Sequence, residues 1–129
     1  MKVLIPVLDK NGEQSRISPH FGRAPYLALV DIDESGKILG ISFTEGEGPH
    51  EERGESEHAS AIRKGIHERI IGLRPDAIMV MRIGPRALYD FITHGIRIMR
   101  IPEAAVTIID AINSLRMGTT EEYVLEDES

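Results

Sequence analysis

Cysteine is absent from this 129-residue chain. That excludes disulfides, and it excludes iron–sulfur or zinc sites built on protein thiolates. Metal chemistry must then use His, Asp, Glu, Met, backbone groups or sulfur that the ligand brings itself. Basic residues are in the minority: 15 Lys and Arg stand against 21 Asp and Glu, a formal net charge of −6. A nucleic-acid partner needs a basic surface and is not expected. No apolar run reaches spanning length, and the opening run Val3 to Leu8 is too short for a signal-peptide core with its flanks. The expectation is a cytoplasmic protein with no membrane partner. Amide side chains are scarce, Asn11, Gln14 and Asn113 being the full set, which fits a heat-adapted source. What is present is ordinary globular composition, 41% hydrophobic and 28% charged, in a length suited to one domain.

Val3 to Leu8 reads as a strand buried on both faces. Pro6 costs it a ladder hydrogen bond and should sit where its missing N–H does no harm. Tyr26 to Asp33 and Ile38 to Phe43 are two further strands, joined by the turn Glu34-Ser35-Gly36-Lys37. Thr44 to Glu57 is rich in Gly and Glu with almost nothing apolar, and is expected to be an exposed, mobile loop. A helix over Glu57 to Leu73 carries the apolar stripe Ala59, Ile62, Ile66, Ile70 and Leu73. Ala77 to Ile83 is a fourth strand, Pro85 to His94 a helix with Gly95 as its exit, and Ile96 to Ile101 a fifth strand. A last helix covers Ala104 to Met117 and stops at Gly118. Residues 119–129 carry five acidic side chains and no basic one, and are expected to be a frayed or disordered tail after a single domain over 1–118. The order β-β-β-α-β-α-β-α predicts an α/β fold with a mixed five-stranded sheet and helices on its faces, the layout of a ribonuclease H-like sheet.

Three segments could carry chemistry. Ser18-Pro19-His20-Phe21-Gly22-Arg23-Ala24-Pro25 sets an imidazole, an aromatic ring, a glycine and a cation between prolines. Taken locally it reads as a structured turn, with Phe21 plugging the core edge and Gly22 at positive φ; functionally, it is a site where backbone comes close to a ligand. His50 and His58 flank Glu51, Glu52, Glu55 and Glu57, a possible ligand set for a metal in a chain without thiolates and equally a solvated charged loop. His58 and His67 lie nine apart and cannot share a helix face. Arg82-Ile83-Gly84-Pro85-Arg86 follows a central strand and opens a helix, a place where open α/β sheets gather anions, or simply a well-capped helix start. Met79, Met81 and Met99 read as core filler, and His94 as a helix-terminal cation. No Gly-x-Ser-x-Gly, GxGxxG or Walker pattern occurs, and no acid–base pair follows from spacing, so an enzyme is not expected.

Taken together, Ser18-Pro19-His20-Phe21-Gly22-Arg23-Ala24 leading into a strand that ends Asp31-Ile32-Asp33 resembles the opening of the dinitrogenase iron–molybdenum cofactor family, which includes NifX-like carriers and the C-terminal domain of NifB-like proteins. Ile83-Gly84-Pro85-Arg86-Ala87, then Gly95-Ile96 and a helix closing on Gly118, looks like the rest of that pattern. The resemblance implies a carrier for an iron–molybdenum or related metal–sulfur cluster, tied to nitrogen-fixation-type cofactor assembly, with assembly proteins as partners. Phe21, Gly22, Arg23, Ala24 and Gly84 are the positions that match. Arg82, Arg86 and His20 complete the cofactor-binding set, with His20, His50 and His58 as candidate metal ligands. Competing readings are a cofactor-free regulatory or interaction module, monomer or weak homodimer, and a metal-dependent nuclease using Asp9, which would need several clustered carboxylates.

Overall fold

Val3, Ile5 and Val7 face one side of the first strand and Leu4 the other, and all are fully buried. A strand apolar on both faces has to be covered on both. The fold, a computed structural model that describes residues 1–46 and 56–125, covers it from two directions. β1 (Lys2–Val7), β2 (Tyr26–Ile32), β3 (Ile38–Glu45), β4 (Ala77–Val80), β5 (Arg97–Arg100) and β6 (Glu121–Tyr123) form one mixed sheet in the spatial order β3-β2-β1-β4-β5-β6. β1, β4 and β5 run parallel; β2, β3 and β6 run antiparallel to their neighbours. α1 (Ser56–Leu73) and α2 (Pro85–Thr93) cover one face, and α3 (Ile108–Met117) covers the other.

The expected count of five strands is corrected to six. The sixth is drawn from the acidic stretch after Gly118. Its three residues pair with β5, Arg97 reaches Glu122 at 3.0 Å, and Tyr123 packs into the core, so tertiary partners outweigh the poor strand propensity of Glu-Glu-Tyr. Acidic composition had concealed this. β3 also runs on to Glu45, taking two residues from the expected loop. α3 starts at Ile108 rather than Ala104. Thr107 caps it: its hydroxyl accepts from Asp110 N, and the Asp110 carboxylate accepts from Thr107 N at 3.1 Å, a reciprocal box. The spacing Thr107-x-x-Asp110 is the sequence signal for this start.

The stripe on α1 behaves as expected where its side chains are described: Ile66 and Ile70 are buried and Leu73 is half-buried. Pro6 sits on the central strand at no cost. Its carbonyl, which shares an edge with the absent N–H, accepts from Ser18 N at 2.9 Å, beyond the short β1–β4 register of Val3 and Leu4. Met79 and Met99 are buried and Met81 packs partly against the same core. Among the described residues no helix is long and apolar enough to cross a membrane.

Candidate functional site

The three parallel strands end on the same side of the sheet, and the segments that follow them meet there. After β1 the chain loops out and returns through Ile17, which bridges Val7, to Ser18. Ser18 is buried and its hydroxyl donates to the His20 carbonyl at 3.1 Å, shaping the backbone ahead of a single 3-10 turn, Phe21–Arg23. After β4 the chain leaves the sheet at Met81. The two segments then join: His20 and Arg82 form a parallel bridge, and Phe21 N donates to the Arg82 carbonyl at 3.0 Å. Two stretches that were separate candidates in the sequence, more than sixty residues apart, are one structure.

Phe21 is 3% exposed and meets Phe91 of α2 edge-on at 5.6 Å between ring centroids. It plugs the core edge, as the local reading had it, and thereby anchors the turn. Gly22 does not take positive φ: among the described residues the left-handed glycines are Gly12, Gly36, Gly95 and Gly118, while Gly22 lies within the 3-10 turn. Ala24 is fully buried, and its carbonyl lies against Gly46 so closely that a Cβ there would stand 2.2 Å from it. Gly46 N also donates to the Pro25 carbonyl at 2.9 Å, clamping the turn from the end of β3. Gly46 carries no signal within its own segment, because its importance lies in a contact between distant segments.

Around this junction Gly22, Arg23, Arg82, Gly84 and Arg86 are exposed and His20 is half-buried. Of the helices that begin on this side, α2 and α3 differ in how their starts are finished. The first amides of α3 are taken: Ile108 N and Ile109 N donate at 3.0 Å to the carbonyls of Ser15 and Glu13. α2 has Pro85 in its first turn and Gly84 as N-cap with no side-chain cap. The Arg86 and Ala87 amides there have no intrahelical acceptor, so this end keeps donors and a positive dipole for an anion. A Cβ on Gly84, whose φ is −72°, would meet nothing within 4 Å. No contact among the described residues requires glycine there.

Other candidates fall away from the junction. Asp9 is engaged with Arg16, accepting from its Nε at 2.9 Å. His67 Nδ1 lies 3.3 Å from the Asp90 carboxylate and its ring packs on Phe91, linking α1 to α2. His94 caps α2, its Nδ1 2.7 Å from the Asp90 carbonyl. His50 lies outside the described residues. His58 falls within α1, its side chain undescribed. Among the described residues no three His, Asp or Glu side chains group to hold a metal ion. The nuclease reading needs such a group and finds none among them.

The family model described as dinitrogenase iron–molybdenum cofactor matches residues 1–118. An uncharacterized protein of Methanocaldococcus jannaschii is 29% identical over 110 residues, 85% of this chain and 80% of that protein. The solution structure of a Thermotoga protein provisionally assigned as NifB, of the DUF35 family, superposes with a TM-score of 0.69 at 19% identity, covering 99% of this chain and 98% of that one. A crystal structure of a provisionally assigned dinitrogenase of Methanocaldococcus jannaschii gives 0.65 at 17% identity, over 95% and 94% of the two chains. At these identities the two structures speak to the fold alone.

Proposed function

This chain belongs to the dinitrogenase iron–molybdenum cofactor family, and from that premise we propose that it binds and carries an iron–molybdenum or related metal–sulfur cluster in cofactor assembly. The cluster is cargo and brings its own sulfide, which suits a chain without cysteine. The observation that carries the reading is the His20–Arg82 junction. It gathers Arg23, Arg82, Arg86 and the uncapped start of α2 at one end of the sheet. Cations and helix-start amides attract an anionic cluster, Gly84 lets it approach the backbone, and among the described residues of the junction the His20 imidazole is the side chain suited to ligate a metal of the cargo.

Exposed arginines hold such a cargo chiefly by charge, with a single imidazole in place of the several thiolate bonds of a resident cluster, and so permit release. A carrier needs that, and no acid–base or nucleophile set is required of it. The strand order β3-β2-β1-β4-β5 supports the ribonuclease H-like reading, with β6 added at the edge. The carrier reading also favours a cytoplasmic setting beside assembly proteins.

Anaerobic titration of the purified protein with tetrathiomolybdate tests the reading. Saturable binding is expected, weakened roughly tenfold or more in Arg82→Ala, since a charge-assisted contact contributes about 1.5–3 kcal/mol. No saturable binding of this or any iron-sulfide species, together with metal-free protein from anaerobic purification, would turn the assignment to a cofactor-free interaction module.

A further inference from the structure

β6 lies beyond residue 118, where the family match ends, yet it reaches the junction. Tyr123 is half-buried in the cluster that holds Phe21, Val80 and Phe91. Its hydroxyl crosses β5 and donates to the Met81 carbonyl at 3.0 Å. Met81 stands just past the end of β4. The last β5-side bond there is Ile101 N to the Val80 carbonyl at 2.7 Å, and β5 itself has ended at Arg100. A carbonyl in that position needs a partner from elsewhere. The Tyr123 hydroxyl supplies it. The next residue is Arg82, whose carbonyl accepts Phe21 N and whose backbone bridges His20.

We propose that Tyr123 is a positioning residue: its hydroxyl fixes the Met81–Arg82 peptide and thereby holds Arg82 and the His20 turn in register for the anionic ligand. A segment outside the family's matched region thus completes the site. Arg97–Glu122, at 3.0 Å, and the pairing of Ile98 with Tyr123 keep the ring in place for this contact. The effect on the ligand rests on the carrier reading above; the effect on the junction does not.

Tyr123→Phe keeps the buried ring and removes only the hydroxyl, so two measurements on the full chain decide the matter. The first is amide hydrogen exchange. The Phe21 amide is expected to exchange about five-fold faster in the variant, with the Leu8 and Ile108 amides unchanged, because one hydrogen bond's worth of local support is lost. Unchanged exchange at Phe21 overturns the proposal, and so does equal acceleration at all three amides, which marks a general loss of stability. The second is tetrathiomolybdate titration, in which Tyr123→Phe is expected to bind about three- to ten-fold more weakly than the wild type. Equal affinity in a wild type that does bind overturns the positioning role. If the wild type binds nothing, the carrier reading fails and the exchange result still decides on Tyr123.

Discussion

Gly84 and Gly46 show how one residue type serves opposite ends. Among the described residues nothing lies within 4 Å of a Cβ placed on Gly84, whereas that of Gly46 points into the Ala24 carbonyl. Gly84→Ala should therefore change stability by less than about 1 kcal/mol, the chain-entropy gain roughly offsetting the poorer N-cap. It should weaken cluster binding, because the added methyl occupies the approach to the α2 amides. Urea unfolding and titration of the same variant check both halves; a normal affinity would remove Gly84 from the site. Gly46→Ala should cost about 1–3 kcal/mol by forcing the Ala24–Pro25 backbone aside, and an unchanged urea midpoint would refute that. Phe21 was legible as a core plug because a loop aromatic usually packs. Gly46 was not legible, since its partner is twenty-two residues away in sequence.

Two helix starts at the same end of the sheet are finished differently. α3 is closed by the Thr107–Asp110 box and by the carbonyls of Glu13 and Ser15, and α2 has no side-chain cap among the described residues. Thr107→Ala should lower stability by about 1 kcal/mol, read as a reduced urea midpoint. The Asp110 carboxyl is held below its usual range, first by the Val106 N–H and then by that of Thr107. Its folded-state pKa lies below its unfolded one, so the stability it confers is present above about pH 4. That stability is lost as pH falls through the folded value. Asp33 shifts in the same direction, chiefly through the Lys37 N–H. Asp110→Asn should therefore flatten part of the acid limb of the stability curve below about pH 4; an acid limb identical to wild type would show that the box contributes nothing there.

At the scale of the whole molecule, the net charge is −6 while Arg23, Arg82 and Arg86 stand exposed around the junction, and on the carrier reading it is these arginines that meet an anionic cargo. The nearest charges decide the contact energy, because more distant ones are weakened by both separation and ionic screening. Raising sodium chloride from about 0.05 to about 0.5 M should weaken tetrathiomolybdate binding several-fold. Affinity that rises with salt would mean that the acidic body, and not the arginine cluster, governs the encounter.

Periodicity and punctuation in the sequence determined most of the elements. Val3 to Val7 is apolar on both faces and so had to be central; Pro85, Gly95 and Gly118 bound helices through their fixed or left-handed backbones. These are local properties, readable one window at a time. The family resemblance was likewise carried by short runs around Phe21 and Gly84. Only the tertiary structure decided that the two runs share a backbone bridge, that Gly46 locks the first of them, and that an acidic stretch after Gly118 supplies a sixth strand. Each depends on which distant groups meet. The energy of such a meeting, a shared hydrogen bond or a methyl's worth of space, is absent from either segment alone.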